Sequence, residues 1–179
     1  IPGLTHAVDE GDRILVGQVE GTVWLTEGHI DGHISFLFDD ALFCGDTLFA
    51  AGCGYLFDGP PAKMYRSLTR LAALDEETWV FCAHEYTQDN LRFAWSVEPE
   101  NNDLRERIIM VWDTRSSGRS VVPSTIGIEK RTNPFIRVSS PNILKRLATA
   151  HTETLEPAEV FARIRALKDS KAYRSIADD

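Results

Sequence analysis

Hydrophobic and polar positions in the first half of the chain fall into short runs that predict β-strands. Such runs cover residues 14–19, 22–25 and 34–38, and glycine and aspartate turn signals separate them. The run 41–44 is apolar throughout and lies between acidic residues and a glycine, as is typical of a buried strand. We therefore expect a strand-rich region up to about residue 85.

One helix interrupts this strand-rich region. Pro61 is tolerated in the first turn of a helix, and an apolar strand at 78–82 follows. Strand, helix and strand form a β-α-β unit, which places functional groups at the carboxyl ends of its strands. The apolar residues between the two strands recur at helical spacing, at Met64, Leu68, Leu71 and Leu74.

The second half of the chain has a different hydrophobic period, which predicts helices. We expect one helix that ends before Pro99, a second that ends near Gly118, and two more at 141–150 and 157–171. Residues 121–135 contain two prolines and little period, so we expect an ordered crossover there. The pattern predicts an α+β fold with a mostly helical second half.

Composition excludes several classes of protein. Hydrophobic residues at 43% and charged residues at 26% are ordinary values for a globular chain, so a disordered, collagenous or coiled-coil protein is excluded. No apolar run approaches the roughly 20 residues that cross a bilayer. The net charge of −8 argues against a nucleic acid as partner. Three scattered cysteines indicate a reducing compartment, so we expect a cytoplasmic protein.

Charge is unevenly distributed along this acidic chain. Residues 130–175 contain ten basic and four acidic residues, so this segment can hold a small anion. A solvated helix face explains the same counts, and charge alone favours that interpretation.

Three residues stand out as candidates for chemistry. Asp46 and His84 each follow a predicted strand, and His29 lies in a glycine-bearing loop. Imidazole nitrogen and carboxylate oxygen are ligands for zinc, iron and manganese, and a carboxylate can bridge two ions. The spacing matches no local zinc motif, and each residue taken alone is more often structural. Cys44, Cys53 and Cys82 are best interpreted as small buried hydrophobic residues.

Several motifs together resemble one enzyme family. The chain is similar to glyoxalase II, the hydroxyacylglutathione hydrolase branch of the metallo-β-lactamase superfamily. The resemblance implies part of an αββα sandwich over residues 1–85 and a helical, glutathione-binding region over residues 86–179. It is carried by GHIDGHISF at 28–36, FCGDTLF at 43–49, AGCG at 51–54, HEYT at 84–87, VPST at 122–125 and NPFIR at 133–137.

The resemblance implies a cofactor and a reaction. The family binds two divalent metal ions, zinc first and iron or manganese as alternatives, with His29 on the first ion, His84 on the second and Asp46 bridging both. His33 completes the loop motif and is expected to be structural. The implied reaction converts S-D-lactoylglutathione and water into glutathione and D-lactate, in the detoxification of methylglyoxal. Metal-bound hydroxide is the implied nucleophile, so no catalytic side chain is assigned.

The resemblance also implies a binding site for the glutathione moiety. Tyr55 stands where the family usually has a basic residue, and Phe57 where it often has an aromatic hydroxyl, so we expect weaker binding or altered selectivity. Arg165 and Lys168 are spaced to face one anion from a single helix. The implied glutathione contacts are Tyr55, Phe57, Tyr86, Asn90, Arg165 and Lys168.

One hallmark of the family is absent from the sequence. The Thr-His-X-His-X-Asp-His loop, which supplies four metal ligands, occurs nowhere in the chain, which we expect to begin after it. His29, Asp46 and His84 alone would give a partial, metal-poor and nearly inactive site. A non-catalytic glutathione-binding remnant is the main alternative. A metallo-β-lactamase-fold hydrolase of lactones or phosphodiesters, and a purely structural protein, are further alternatives. We expect a monomer with a small-molecule partner.

Overall fold

A six-stranded mixed sheet forms the centre of the protein. The computed structural model describes residues 3–148 and 155–175. The strand order in the sheet is β1-β2-β3-β4-β7-β8, and β5 pairs with β6 in a separate two-stranded hairpin. The strands are β1 (Arg13–Val16), β2 (Val19–Leu25), β3 (Ile34–Phe38), β4 (Ala41–Gly45), β5 (Leu48–Phe49), β6 (Gly52–Cys53), β7 (Trp79–Cys82) and β8 (Ser124–Thr125).

Helices dominate the second half of the chain, as the sequence predicts. A short 3-10 helix, Ala172–Ser175, follows the last of them. None of the helices in the described part of the chain is long and apolar enough to span a membrane. The α-helices are α1 (Pro61–Ala72), α2 (Thr87–Val97), α3 (Asn102–Ser116), α4 (Ile126–Thr132), α5 (Pro141–Leu147) and α6 (Pro157–Asp169).

The predicted β-α-β unit is confirmed. Strands β4 and β7 pair in parallel, and α1 connects them. The helix buries Met64, Leu68 and Leu71, three of the four residues of the predicted stripe. Helix α1 also approaches the glycine loop closely, because a Cβ on Gly28 would lie 2.5 Å from the Met64 Cα. Gly28 has a φ of +136°, so both space and conformation favour glycine at this position.

The segment at residues 121–135, predicted as an ordered crossover, contains regular elements that its sequence pattern did not predict. This segment contains β8, which pairs antiparallel with β7, and α4. A two-residue strand and a seven-residue helix are too short to show a hydrophobic period. A strand from the second half of the chain, β8, therefore forms one edge of the sheet, with Thr125 opposite Trp79.

A buried carboxylate joins the two halves of the chain. Glu129 on α4 is fully buried. Its carboxylate accepts hydrogen bonds from the Arg107 guanidinium at 2.6 Å, the Ser124 hydroxyl at 2.5 Å and the Asn133 amide at 2.9 Å. It also accepts one from the Ala51 backbone N–H at 2.8 Å. The segment that connects the hairpin strands β5 and β6 is thereby attached to the helical half.

Candidate functional site

Two candidate ligands meet at the carboxyl ends of the parallel strands. Asp46 directly follows β4 and His84 lies two residues beyond β7. The Asp46 Oδ1 and His84 Nε2 atoms are 3.4 Å apart, and both side chains are partly exposed. A backbone hydrogen bond from Ala83 N to Gly45 O, at 3.0 Å, holds the two strand ends together. Adjacent parallel strands thus place an imidazole beside a carboxylate, as expected for a β-α-β unit.

The third candidate, His29, reaches the same region from the loop between β2 and β3. Its ring Nδ1 lies 2.8 Å from the Tyr55 carbonyl oxygen, and its own carbonyl accepts from Phe57 N at 2.9 Å. Gly54 separates His29 from Asp46. A Cβ on Gly54 would lie 2.0 Å from the Asp46 carbonyl oxygen and 3.0 Å from the His29 Nδ1, so only glycine allows this approach.

The donor atoms fit part of a metal site. Metal-binding histidines usually donate their second ring N–H to a carbonyl or carboxylate, as His29 Nδ1 does to Tyr55. Its Nε2 has no hydrogen-bond partner within residues 3–148 and 155–175. Over the same residues, no three His, Cys, Asp or Glu side chains are grouped closely enough to hold an ion. The chain therefore contributes an Asp46–His84 pair with His29 beside it.

His33, from the same glycine loop, is held differently from His29. Its Nε2 accepts a hydrogen bond from Asp46 N at 3.3 Å, and its Nδ1 lies 3.1 Å from the Thr47 hydroxyl and 3.3 Å from the Thr26 hydroxyl. Both ring nitrogens are thus occupied. Burial, and secondarily the nearby His29, lower the pKa of His33, which favours the neutral ring.

Aromatic side chains line both sides of the site. The Tyr86 ring stacks on the His84 ring at 4.9 Å between centroids, and Phe49 contacts Tyr86 at 5.5 Å. On the other side, Phe57 lies edge-on to His29 at 5.1 Å. Tyr55, which is 53% exposed, contacts Phe57 at 4.9 Å. Tyr86, Tyr55 and Phe57 are all exposed, so a ligand at the site can reach them.

Two further predicted residues are attached to the backbone of the hairpin. Asn90 is buried and donates to the Ala50 carbonyl at 3.0 Å. Arg165 is buried too, and donates to the Cys53 carbonyl at 3.2 Å and to Asp169 at 2.7 Å. Both side chains therefore hold the hairpin against α2 and α6.

Lys168 carries a buried ammonium group without a hydrogen-bond acceptor. Its Nζ is the single such buried side-chain atom among the described residues. It lies 3.5 Å from Asp89 Oδ2, which is an ion-pair distance. The centroids of the Phe93 and Tyr173 rings lie 5.1 and 5.2 Å from the same Nζ atom. Burial lowers the pKa of Lys168 to about 8, against the opposing charge of Asp89.

Sequence reasoning missed the buried partners of the site. Glu129 is one of 27 acidic residues, and nothing in the sequence separates it from those on the surface. Thr26, which contacts His33, also gave no signal, and Thr47 lies in the FCGDTLF motif but was assigned no role. The order of motifs along the chain is the signal that groups the candidate ligands, which are far apart in sequence. It identifies the ligand residues but not the buried residues that hold them in place.

Comparison with protein families divides the chain into two matched regions. The family described as "Metallo-beta-lactamase superfamily" matches residues 3–84. The family described as "Hydroxyacylglutathione hydrolase C-terminus" matches residues 85–171. The two matches together cover nearly the whole chain.

Curated relatives named hydroxyacylglutathione hydrolase match along most of the chain. The relative from Maricaulis maris is 48% identical over 172 residues, and covers 95% of this chain and 66% of its own length. The relative from Synechocystis is 45% identical, with 95% of this chain and 67% of its own length covered. The chain thus spans about two thirds of the length of these relatives.

Solved structures show the same fold. Crystalline ETHE1 from Myxococcus xanthus superposes with a TM-score of 0.54 at 26% identity, over 93% of this chain and 62% of its own. A metallo-beta-lactamase from Staphylococcus aureus gives a TM-score of 0.53 at 22% identity, over 93% of this chain and 44% of its own. The predicted α+β fold, with a metallo-β-lactamase part and a helical part, is confirmed.

Proposed function

The chain belongs to the hydroxyacylglutathione hydrolase family, and from that premise we propose that it supplies part of the active site of a thioester hydrolase. The proposed substrate is S-D-lactoylglutathione, cleaved by water into glutathione and D-lactate. The observation that carries the proposal is the 3.4 Å approach of Asp46 to His84 at adjacent strand ends, in a chain matched by both family regions.

Membership of this family implies divalent metal ions, and we propose His29, Asp46 and His84 as the residues that hold them. Such ions, when bound, polarise a carbonyl group and lower the pKa of water. We propose zinc, because imidazole and carboxylate suit it, with iron or manganese as alternatives. Among the described residues the Nε2 of His29 has no hydrogen-bond partner, while the Tyr55 carbonyl fixes its Nδ1, and this arrangement supports its role as ligand.

The helical part is proposed to bind the glutathione moiety. The buried ammonium of Lys168 supports this role, because it lies at ion-pair distance from Asp89 but has no hydrogen-bond acceptor among the described residues, and a ligand carboxylate would supply one. Arg165, one turn away on α6, brings a second cation next to Cys53. Tyr86, which is exposed just before α2, extends the proposed contact surface, and Tyr55 and Phe57 border it near His29. Asn90 is buried on α2 and is proposed to support this surface through the Ala50 carbonyl.

Glutathione affinity is expected to fall as the pH rises through about 8. The pKa of Lys168 is lowered to about 8, so its ammonium attracts a carboxylate below that pH and is neutral above it. The charged or ionisable groups packed around it are Asp89 on α2, Arg165 on α6, Cys53 on β6 and Tyr173 of the 3-10 helix. We expect a loss of about tenfold between pH 7 and pH 9, measured by calorimetry.

Lys168→Met is the variant that tests this pH dependence. It keeps the length of the side chain but has no charge at any pH, so its weaker binding should change little between pH 7 and pH 9. Lys171→Met is the matched control, because Lys171 is exposed just beyond the same helix. If Lys168→Met lost glutathione affinity between pH 7 and pH 9 as strongly as the unmodified chain does, Lys168 would be excluded as the group responsible.

The chain alone is proposed to hold its metal incompletely, since no three-ligand group exists in the described residues. Elemental analysis of the purified 179-residue chain, with a thioester assay on S-D-lactoylglutathione, tests this directly. We expect fewer than two metal ions per chain and little hydrolysis. Two ions per chain with full hydrolysis would refute the incomplete site.

The absence of a three-ligand group among the described residues also favours one alternative, a non-catalytic protein that binds glutathione. Binding of glutathione without any thioester hydrolysis, even with added zinc, would support this alternative over the hydrolase. We further propose a monomer located in the cytoplasm, where its three free cysteines remain reduced.

A further inference from the structure

His33 and His29 share one glycine loop but have opposite hydrogen-bonding arrangements. In the part of the chain that the structure describes, His29 has one ring nitrogen hydrogen-bonded to a backbone carbonyl and the other without a partner. His33 has partners on both nitrogens, and one of them is the backbone N–H of Asp46. The two histidines are four residues apart in similar sequence contexts, but their hydrogen bonds indicate different roles.

The protonation of the His33 ring follows from its partners. A backbone N–H can only donate, so the His33 Nε2 that faces Asp46 N must carry a lone pair. The Thr47 hydroxyl gives its single proton to the Thr26 carbonyl at 2.9 Å, which leaves it as an acceptor toward His33 Nδ1. The ring is thus neutral, with its proton on Nδ1.

Buried hydroxyls hold this ring in place. Thr26 and Thr47 are both fully buried, and the Thr26 hydroxyl lies 2.7 Å from that of Ser35, which is also fully buried. Gly45, with a φ of +51°, allows the ring to approach, because a Cβ there would lie 2.9 Å from His33 Nε2. His33 is therefore fixed from the interior, and its Nε2 faces the backbone that carries the Asp46 carboxylate.

We propose that His33 is a positioning residue, which fixes the Asp46 carboxylate for metal binding through the Asp46 backbone N–H and is not itself a ligand. The inference rests on the proposed function, since it assigns His33 a role toward the proposed metal site. Groups that orient metal ligands in this way typically contribute about 10–100-fold to metal affinity.

Two substitutions at His33 separate positioning from general packing. His33→Gln keeps an acceptor for Asp46 N and a donor for Thr47, whereas His33→Leu fills the space without either. We expect zinc affinity, measured by competition with a chromophoric chelator, to fall about 10–100-fold in His33→Leu and to be largely retained in His33→Gln. His6→Leu is the matched control, because His6 is exposed and, over residues 3–148 and 155–175, its hydrogen bond is to the adjacent Thr5.

Two NMR measurements on the unmodified chain test the hydrogen bond itself. The imidazole ¹⁵N shifts should show His33 protonated at Nδ1 and unprotonated at Nε2, and exchange of the Asp46 amide hydrogen should be slowed. The same amide should exchange faster in His33→Leu. These readouts keep the proposal falsifiable if His33→Leu does not fold.

Three results would overturn the role of His33. They are an Nε2-protonated ring, an unprotected Asp46 amide, or zinc affinity in a folded His33→Leu equal to that of the unmodified chain. Failure of the proposed function has a different signature. In that case the unmodified chain binds no zinc, while the ring nitrogens and the Asp46 amide still report the state of His33.

Discussion

Replacing Glu129 by alanine is expected to lower the free energy of unfolding by about 3–5 kcal/mol, because it leaves the buried Arg107 guanidinium without its counter-charge. The substitution also removes the acceptor for Ser124, Asn133 and the Ala51 N–H. Urea unfolding followed by circular dichroism measures the loss. If the variant is unfolded without denaturant, the expected direction is met and the size becomes a lower limit.

Glu159→Ala is the matched control for this prediction. Glu159 also pairs with an arginine, Arg163, but on the exposed face of α6 with four-residue spacing. Such exposed pairs contribute about 0.3–0.5 kcal/mol, so the control should unfold nearly as the unmodified chain does. Equal effects of the two substitutions would show that the buried network does not join the two halves of the chain.

Asp46→Asn is expected to reduce zinc affinity by more than 100-fold, a larger effect than the loss of a group that only orients a ligand. The amide has nearly the same shape as the carboxylate, but lacks the charge that faces the divalent ion. The Asp46 side chain is partly exposed, and within the described residues its close polar contact is with His84, so the fold should remain intact. Chelator competition measures the affinity, and circular dichroism checks the fold.

Asp40→Asn is the control for Asp46. Asp40 is an exposed acid that directly precedes β4, whereas Asp46 directly follows it, so the Asp40 substitution removes the same charge from the other end of the strand. Zinc affinity should be unchanged in this variant. A similar loss in both variants would mean that overall negative charge, rather than coordination by Asp46, attracts the ion.

The sequence predicts the parts of the fold that have a clear hydrophobic period. The strand at 34–38 and the parallel pairing across α1 are found as predicted. Residues 121–135 lacked such a period because β8 and α4 are short and depend on distant partners, namely β7 and the Arg107–Glu129 pair. Tertiary contacts, rather than local preference, determine the structure of that segment.

The candidate metal ligands could be predicted from the sequence, but the residues that surround the proposed glutathione contacts could not. Position after a strand marked Asp46 and His84, and their separation of 3.4 Å follows from parallel pairing. The surroundings of Arg165 and Lys168 could not be predicted. Four- and three-residue spacing identifies a helix face, but burial against Asp89, Phe93 and Cys53 depends on how α6 packs.

A zinc titration followed by imidazole ¹⁵N NMR tests the central claim most directly, namely that His29, Asp46 and His84 belong to one two-metal site. We expect the Nε2 signals of His29 and His84 to shift together, at the same zinc concentrations, while the ring of His33 is unchanged. Independent shifts of His29 and His84, or the absence of a response in either, would contradict the claim.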